Sequence, residues 1–119
     1  MPGTDWPPEL DALVAAPDQH KLLFENDHVR VIDTIIPAGT TVPLHTHCWP
    51  ATYYVLAWSD IVRYGQNGEV QADSRTNPNK PQPGQAIWAG ALDPHTVHNV
   101  GDQTLRIISV EIKGANQPI

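Results

Sequence analysis

The chain has one cysteine, one methionine and one phenylalanine among its 119 residues. With Cys48 as the lone thiol, an internal disulfide is excluded. Charged residues make up only 17%, and Lys and Arg form no cluster. A net charge of −6 without a basic patch offers no counter-charge to a phosphate backbone or an anionic bilayer. Neither nucleic acid nor membrane is therefore expected as a partner. No apolar run approaches the ~18 residues of a membrane span. Residues Met1–Glu9 lack the apolar stretch of a secretory signal. The expectation is a reduced, cytoplasmic protein. A Walker loop, a dinucleotide glycine fingerprint, a CxxC pair and a Ser-His-Asp order are missing as well.

What is abundant is punctuation. Twelve prolines are about twice the usual share, and with eight glycines they favour many short elements. The length suits a single domain. Pro7-Pro8 can open a helix, Leu10, Leu13 and Val14 follow at helical spacing, and Pro17 closes it. The reading is a two-turn helix over Glu9–Ala16 within an N-terminal arm, residues 1–18. From residue 19 to 119 the period changes to two. His20–Glu25, His28–Ile36, Thr41–His47, Thr52–Trp58, Asp60–Tyr64, Glu69–Asp73, Gln85–Ala89, His95–Val100 and Leu105–Ile112 read as strands. Gly65-Gln66-Asn67-Gly68 and Gly101-Asp102 read as hairpin turns, and Asn77–Pro83 as a proline loop. This is an all-β sandwich or barrel.

The acidity is uneven. Residues 1–33 hold Asp5, Glu9, Asp11, Asp18, Glu25, Asp27 and Asp33 against Lys21 and Arg30. The β-body is nearly neutral.

Six histidines carry the chemical signal. His45 and His47 stand at i and i+2 on a strand, so their rings share a face and can hold one metal ion. The competing reading is a pair of hydrogen-bonded surface histidines. Farther on, Gly84, Gly90, His95 and Asn99 mark a second glycine turn leading into a histidine strand. His98 has the opposite parity to His95. His20 and His28 read as structural.

These two stretches together resemble the cupin superfamily. Its first motif runs Gly, five residues, His-x-His, three or four residues, Glu, six residues, Gly. Its second runs Gly, five residues, Pro-x-Gly, two residues, His, three residues, Asn. Gly39, His45 and His47 match the first at the right spacing; Gly84, Gly90, His95 and Asn99 match the second loosely. IPAG at Ile36–Gly39, YVL at Tyr54–Leu56 and HNVGD at His98–Asp102 are also similar, and the resemblance covers residues 20–113. It implies a small single-domain cupin with an RmlC-like double-stranded β-helix, a jelly-roll β-sandwich. It further implies a divalent metal (Fe, Zn, Ni or Mn) held by His45, His47 and His95, with Asn99 satisfying backbone groups. Three departures stand out. The motif-one Glu is replaced at Ala51 or Thr52, its closing Gly falls near Trp58, and motif two lacks Pro before Gly90 and has two extra residues before His95.

With the Glu missing, Tyr53 shares a face with Ala51 and could fill part of the vacated volume, or pack in the core. Trp49, Trp88 and His98 are further pocket candidates. Cys48, of opposite parity to the histidines, is expected to pack elsewhere. Trp58 reads as a core aromatic. Arg63 and Arg75 could meet a substrate carboxylate, although a solvated strand face is the simpler reading. The resemblance extends to three-histidine iron dioxygenases, so a metal-dependent dioxygenase or isomerase acting on a small organic molecule is expected. The alternative is a non-catalytic ligand-binding or scaffold cupin. A homodimer is expected, because unpaired edge strands are otherwise a liability.

Overall fold

The computed structural model describes residues 6–114. The first five residues of the arm and the last five of the barrel segment, with the sequence reading of Asp5, lie outside the described residues. The arm holds a 3₁₀ turn, Pro8–Leu10, and one short helix α1, Ala12–Ala15. Nine strands follow: β1 His20–Glu25, β2 Val29–Ile36, β3 Thr41–His47, β4 Ala51–Ala57, β5 Ile61–Gly65, β6 Val70–Asp73, β7 Ala86–Ala89, β8 Leu92–Asn99 and β9 Leu105–Ile112. They form two antiparallel sheets. The five-stranded sheet has the order β1-β2-β9-β4-β7 and the four-stranded sheet β3-β8-β5-β6.

Three sequence expectations are corrected. The continuous helix over Glu9–Ala16 is broken at Asp11, whose backbone is extended (φ −55°, ψ 141°). Its carboxylate accepts from the Leu13 N–H at 3.1 Å, and that capping bond starts a new helix. The Gly101-Asp102 turn does not close a hairpin. β8 and β9 lie in different sheets, so the turn carries the chain across the sandwich. Finally, β8 starts at Leu92 rather than His95. β5 pairs with β8 only from His95 onward. Pro94, which cannot donate to a ladder, therefore sits where β8 overhangs that neighbour. Pro43 is tolerated for a related reason: β3 is an edge strand, and its pairing to β8 shifts register between Val42 and His45.

The β5–β6 hairpin forms as expected around Gly68, at φ +83°, a conformation glycine adopts without strain. The buried core is small. Ala16, Ile36, Val42 and Leu105 form its centre, and Trp58, Ile61, Val97 and Ile107 pack on it. Three of the acids of the first third are matched across the fold. Asp33 pairs with Arg106 at 2.8 Å, Glu25 with Lys113 at 2.6 Å and Asp11 with Arg30 at 2.9 Å. The arm lies against its own barrel. Trp6 Nε1 donates to Asp93 at 3.1 Å, and Asp11 bridges to Thr46 of β3.

Candidate metal centre

β3 and β8 bring His45 and His95 directly opposite each other. Their ring centroids are 4.2 Å apart. His47 stands beside them, 4.9 Å from His45 and 5.6 Å from His95. The rings of His45, His47 and His95 are thus neighbours, although the three whose ring nitrogens converge within 4.8 Å are His20, His45 and His47. A fourth joins them from the opposite sheet. His20, the first residue of β1, has its ring 4.9 Å from His45 and 5.4 Å from His47. One ring nitrogen from each of His20, His45 and His47 lies within 4.8 Å of the others. His45 and His95 are each 1% exposed and His20 5%. All four rings face a single cavity of about 200 Å³ between the sheets.

The hydrogen bonds decide which nitrogen is available. Nδ1 of His20 donates to the Ala16 carbonyl at 2.9 Å. Nδ1 of His45 donates to the Pro43 carbonyl and Nδ1 of His95 to the Asp93 carbonyl, both at 2.7 Å. Nδ1 of His47 donates to the Glu111 carboxylate at 3.0 Å. A carbonyl or carboxylate oxygen can only accept, so each partner fixes the proton on Nδ1. In a neutral ring so held, Nε2 keeps its lone pair. Burial lowers the imidazole pKa to about 4 at His20, about 2 at His45 and about 3 at His95. Neutral imidazoles held by oriented acceptors are the state that metal binding requires. The donor set therefore fits a divalent ion that favours nitrogen, such as zinc, iron or nickel.

The missing motif-one carboxylate has a counterpart. Ala51 pairs directly with Glu111 on β9, so their side chains share a face of the sheet. Glu111 is 1% exposed. It reaches His47 and accepts from Arg30 Nε at 2.6 Å. Burial works against its charge, but the His47 and Arg30 contacts more than offset it, and the carboxyl titrates below its usual range. A carboxylate is thus present beside the cluster, behind His47 rather than lining the cavity.

Tyr53 lines the cavity, and burial pushes its phenol up to about 12, so it stays protonated. Trp58 and Arg63 also line it, while Arg75 is exposed and paired with Asp73 at 2.9 Å. Ala51 is buried next to Glu111 and does not reach the cavity. Trp49 and Cys48 lie elsewhere, in a second hollow with Trp6 and Asp11. Arg30 stacks over the Trp49 ring at 5.0 Å. Trp88 is 64% exposed on β7. His98 pairs with Thr41 and Val62 and points away from the cavity, as its parity requires. Asn99 is fully buried. Its amide donates to the carbonyls of Ile36 and Gln103, and its oxygen accepts from Ser59 and the Gly101 N–H.

Sequence reasoning missed His20, Glu111 and the cavity position of Arg63. Glu111 had a signal, being the only acid in β9, within the mostly apolar stretch Ile107–Ile112. His20 had none, because only the pairing of β1 with β2 (His20 opposite Thr34) turns it inward.

No family model matches the chain, and no curated protein does. Solved structures do. A cupin domain from Bordetella pertussis Tohama I superposes with a TM-score of 0.64 at 18% identity, covering 80% of this chain and 92% of that one. An RmlC-like cupin with a double-stranded β-helix from Methanocaldococcus jannaschii gives 0.56 at 13% identity, covering 78% and 77%. The polyketide cyclase RemF from Streptomyces resistomycificus gives 0.51 at 21% identity, covering 78% of this chain and 63% of the cyclase. In topology and by these likenesses, the fold of this chain is a double-stranded β-helix like that of these cupin structures.

Proposed function

We propose that this protein binds a divalent metal through His45, His47 and His95, with His20 as a fourth ligand, and acts on a small organic molecule in the cavity. The observation that supports it is the uniform Nδ1 bonding of the four rings. Such a metal would serve as a Lewis acid for a substrate oxygen. Of the two activities expected, the isomerase type is the better supported. Four imidazoles leave fewer open positions for both oxygen and substrate than three would. Tyr53, held protonated at the cavity wall, can donate a hydrogen bond or a proton to a polarised oxygen. The metal content of the purified protein tests this reading. His47→Ala is expected to abolish retention and His20→Ala to weaken it. A protein that takes up neither Zn(II), Fe(II), Ni(II) nor Mn(II) overturns it. The non-catalytic alternative draws on one observation: among the described residues no carboxylate lines the cavity to act as a base. Metal-dependent turnover of any small substrate would exclude it.

We also propose a homodimer, formed through the outer face of the five-stranded sheet rather than through its edges. Phe24, Val31, Val110, Thr52 and Trp88 form one row across all five strands. An outward face of an antiparallel sheet is ordinarily polar, and this row carries no charge. Nearby, Asp33 and Arg106 neutralise each other, so two copies can meet without like-charge repulsion. Sedimentation is expected to give a dimer at micromolar concentration and a monomer for Val110→Lys. A monomeric parent protein would refute this.

A further inference from the structure

Among the described residues, Arg63 is the one permanently charged side chain that lines the cavity. It lies on β5 opposite Val97 of β8, and Gly65 lies opposite His95. Arg63 and His95 are therefore diagonal neighbours, about 7–8 Å apart at the backbone. The Arg63 charge reaches both Tyr53 and His95. Its Nε donates to Gln71 at 3.0 Å, which fixes the guanidinium plane and leaves the Nη1 and Nη2 edge. Arg30, Arg75 and Arg106 each pair with an acid; among the described residues Arg63 pairs with none.

The charge balance of the cavity is one-sided. Among the described residues its lining contains imidazoles, one guanidinium, a phenol, hydroxyls and apolar walls, but no carboxylate. Glu111 is already committed to Arg30 and His47. The resemblance places a ligand carboxylate at Ala51 or Thr52, and this chain has none there. Arg63 is half-buried at the cavity wall, with no acid of the described residues to pair with, and the protein leaves the part of its counter-charge to the ligand. The walls, including Ile36, Val42, Leu92 and Ile107, suit a short hydrocarbon body. An end-on guanidinium fork matches a carboxylate in two parallel hydrogen bonds.

We propose that the ligand is a small organic carboxylate bearing a second oxygen function, its carboxylate held by Arg63 and its other oxygen directed at the histidine cluster. This assignment rests on the metal-site reading for the second oxygen only; the Arg63 contact does not need the metal.

The test is calorimetric binding of short 2-oxo and 2-hydroxy acids, each against its own amide, to zinc-loaded and to metal-free protein. Zinc content is measured separately. In the parent protein at least one acid is expected to bind at least tenfold tighter than its amide. Arg63→Gln should remove that preference without changing zinc retention, and Arg63→Lys should restore part of it. Equal binding of acid and amide, unchanged acid binding in Arg63→Gln, or no acid bound at millimolar concentration overturns the assignment. If zinc is not retained but the acid preference persists and depends on Arg63, the metal reading fails and the carboxylate assignment stands. If zinc is retained and the preference is absent, the carboxylate assignment alone fails.

Discussion

Acidifying the metal-free protein should unfold it far sooner than its fold class requires. His20, His45 and His95 are neutral in the folded chain, with pKa values of about 4, 2 and 3. In the unfolded chain each returns to 6.5. Below pH 6.5 the unfolded state therefore binds more protons than the folded state, and stability falls as pH falls. Each such proton is worth about 1.4 kcal/mol per pH unit once the unfolded imidazole is charged. Between pH 7 and 5.5 one histidine contributes a loss of about 1.2 kcal/mol, and three together about 4 kcal/mol. A domain of this size has only about 5–15 kcal/mol in total. Glu111 acts in the same direction at lower pH, because its depressed carboxyl stabilises the fold only above the ordinary carboxyl range. The assay is urea unfolding of chelator-treated protein at a series of pH values, followed by tryptophan fluorescence. With a slope of about 1–1.5 kcal/mol per molar urea, the midpoint should drop by about 3 M between pH 7 and 5.5. A midpoint that stays constant over that range would refute the reasoning, for it would mean that the rings titrate freely inside the fold.

Two substitutions separate the site from its scaffold. Glu111→Gln keeps the side-chain shape but can turn an amide N–H toward the Nδ1 proton of His47. Metal affinity should fall about 10–100-fold, as for other residues that orient a ligand, in a competition with a chelator; unchanged affinity would remove Glu111 from the site. Asn99→Ala deletes four hydrogen bonds in a fully buried position. It should lower stability by about 2–4 kcal/mol in thermal unfolding and leave metal affinity intact.

The strands were legible because alternation is local. Thr41–His47 and Leu105–Ile112 carry their own period, and His45 and His47 announce a shared face by spacing alone. What was not legible depends on partners distant in sequence. Whether Gly101-Asp102 turns back or crosses to the other sheet is decided by which strand β9 finds, and it finds β2 and β4. His20 becomes part of the cluster only when β1 pairs with β2 on the wall facing β3. Asp11 looks like one more acid in an acidic arm until Arg30 comes to meet it. Arg63 looks like a solvated strand residue until the folding of β5 against the opposite sheet puts it on the cavity wall.

Three of the four rings are aimed by carbonyls two or four residues away on their own stretch of backbone. His47 is the exception. Its Nδ1 is held by Glu111, which is held by Arg30, which is held by Asp11, whose carboxylate also caps α1. The arm is therefore wired to the donor strength of a single imidazole. If the four rings hold a metal as proposed, changes at the arm, remote from the cavity, would adjust the electrophilicity of that ion while the cavity walls stay as they are. Under that reading the donor strength of the cluster and the shape of the cavity are set by separate parts of the chain.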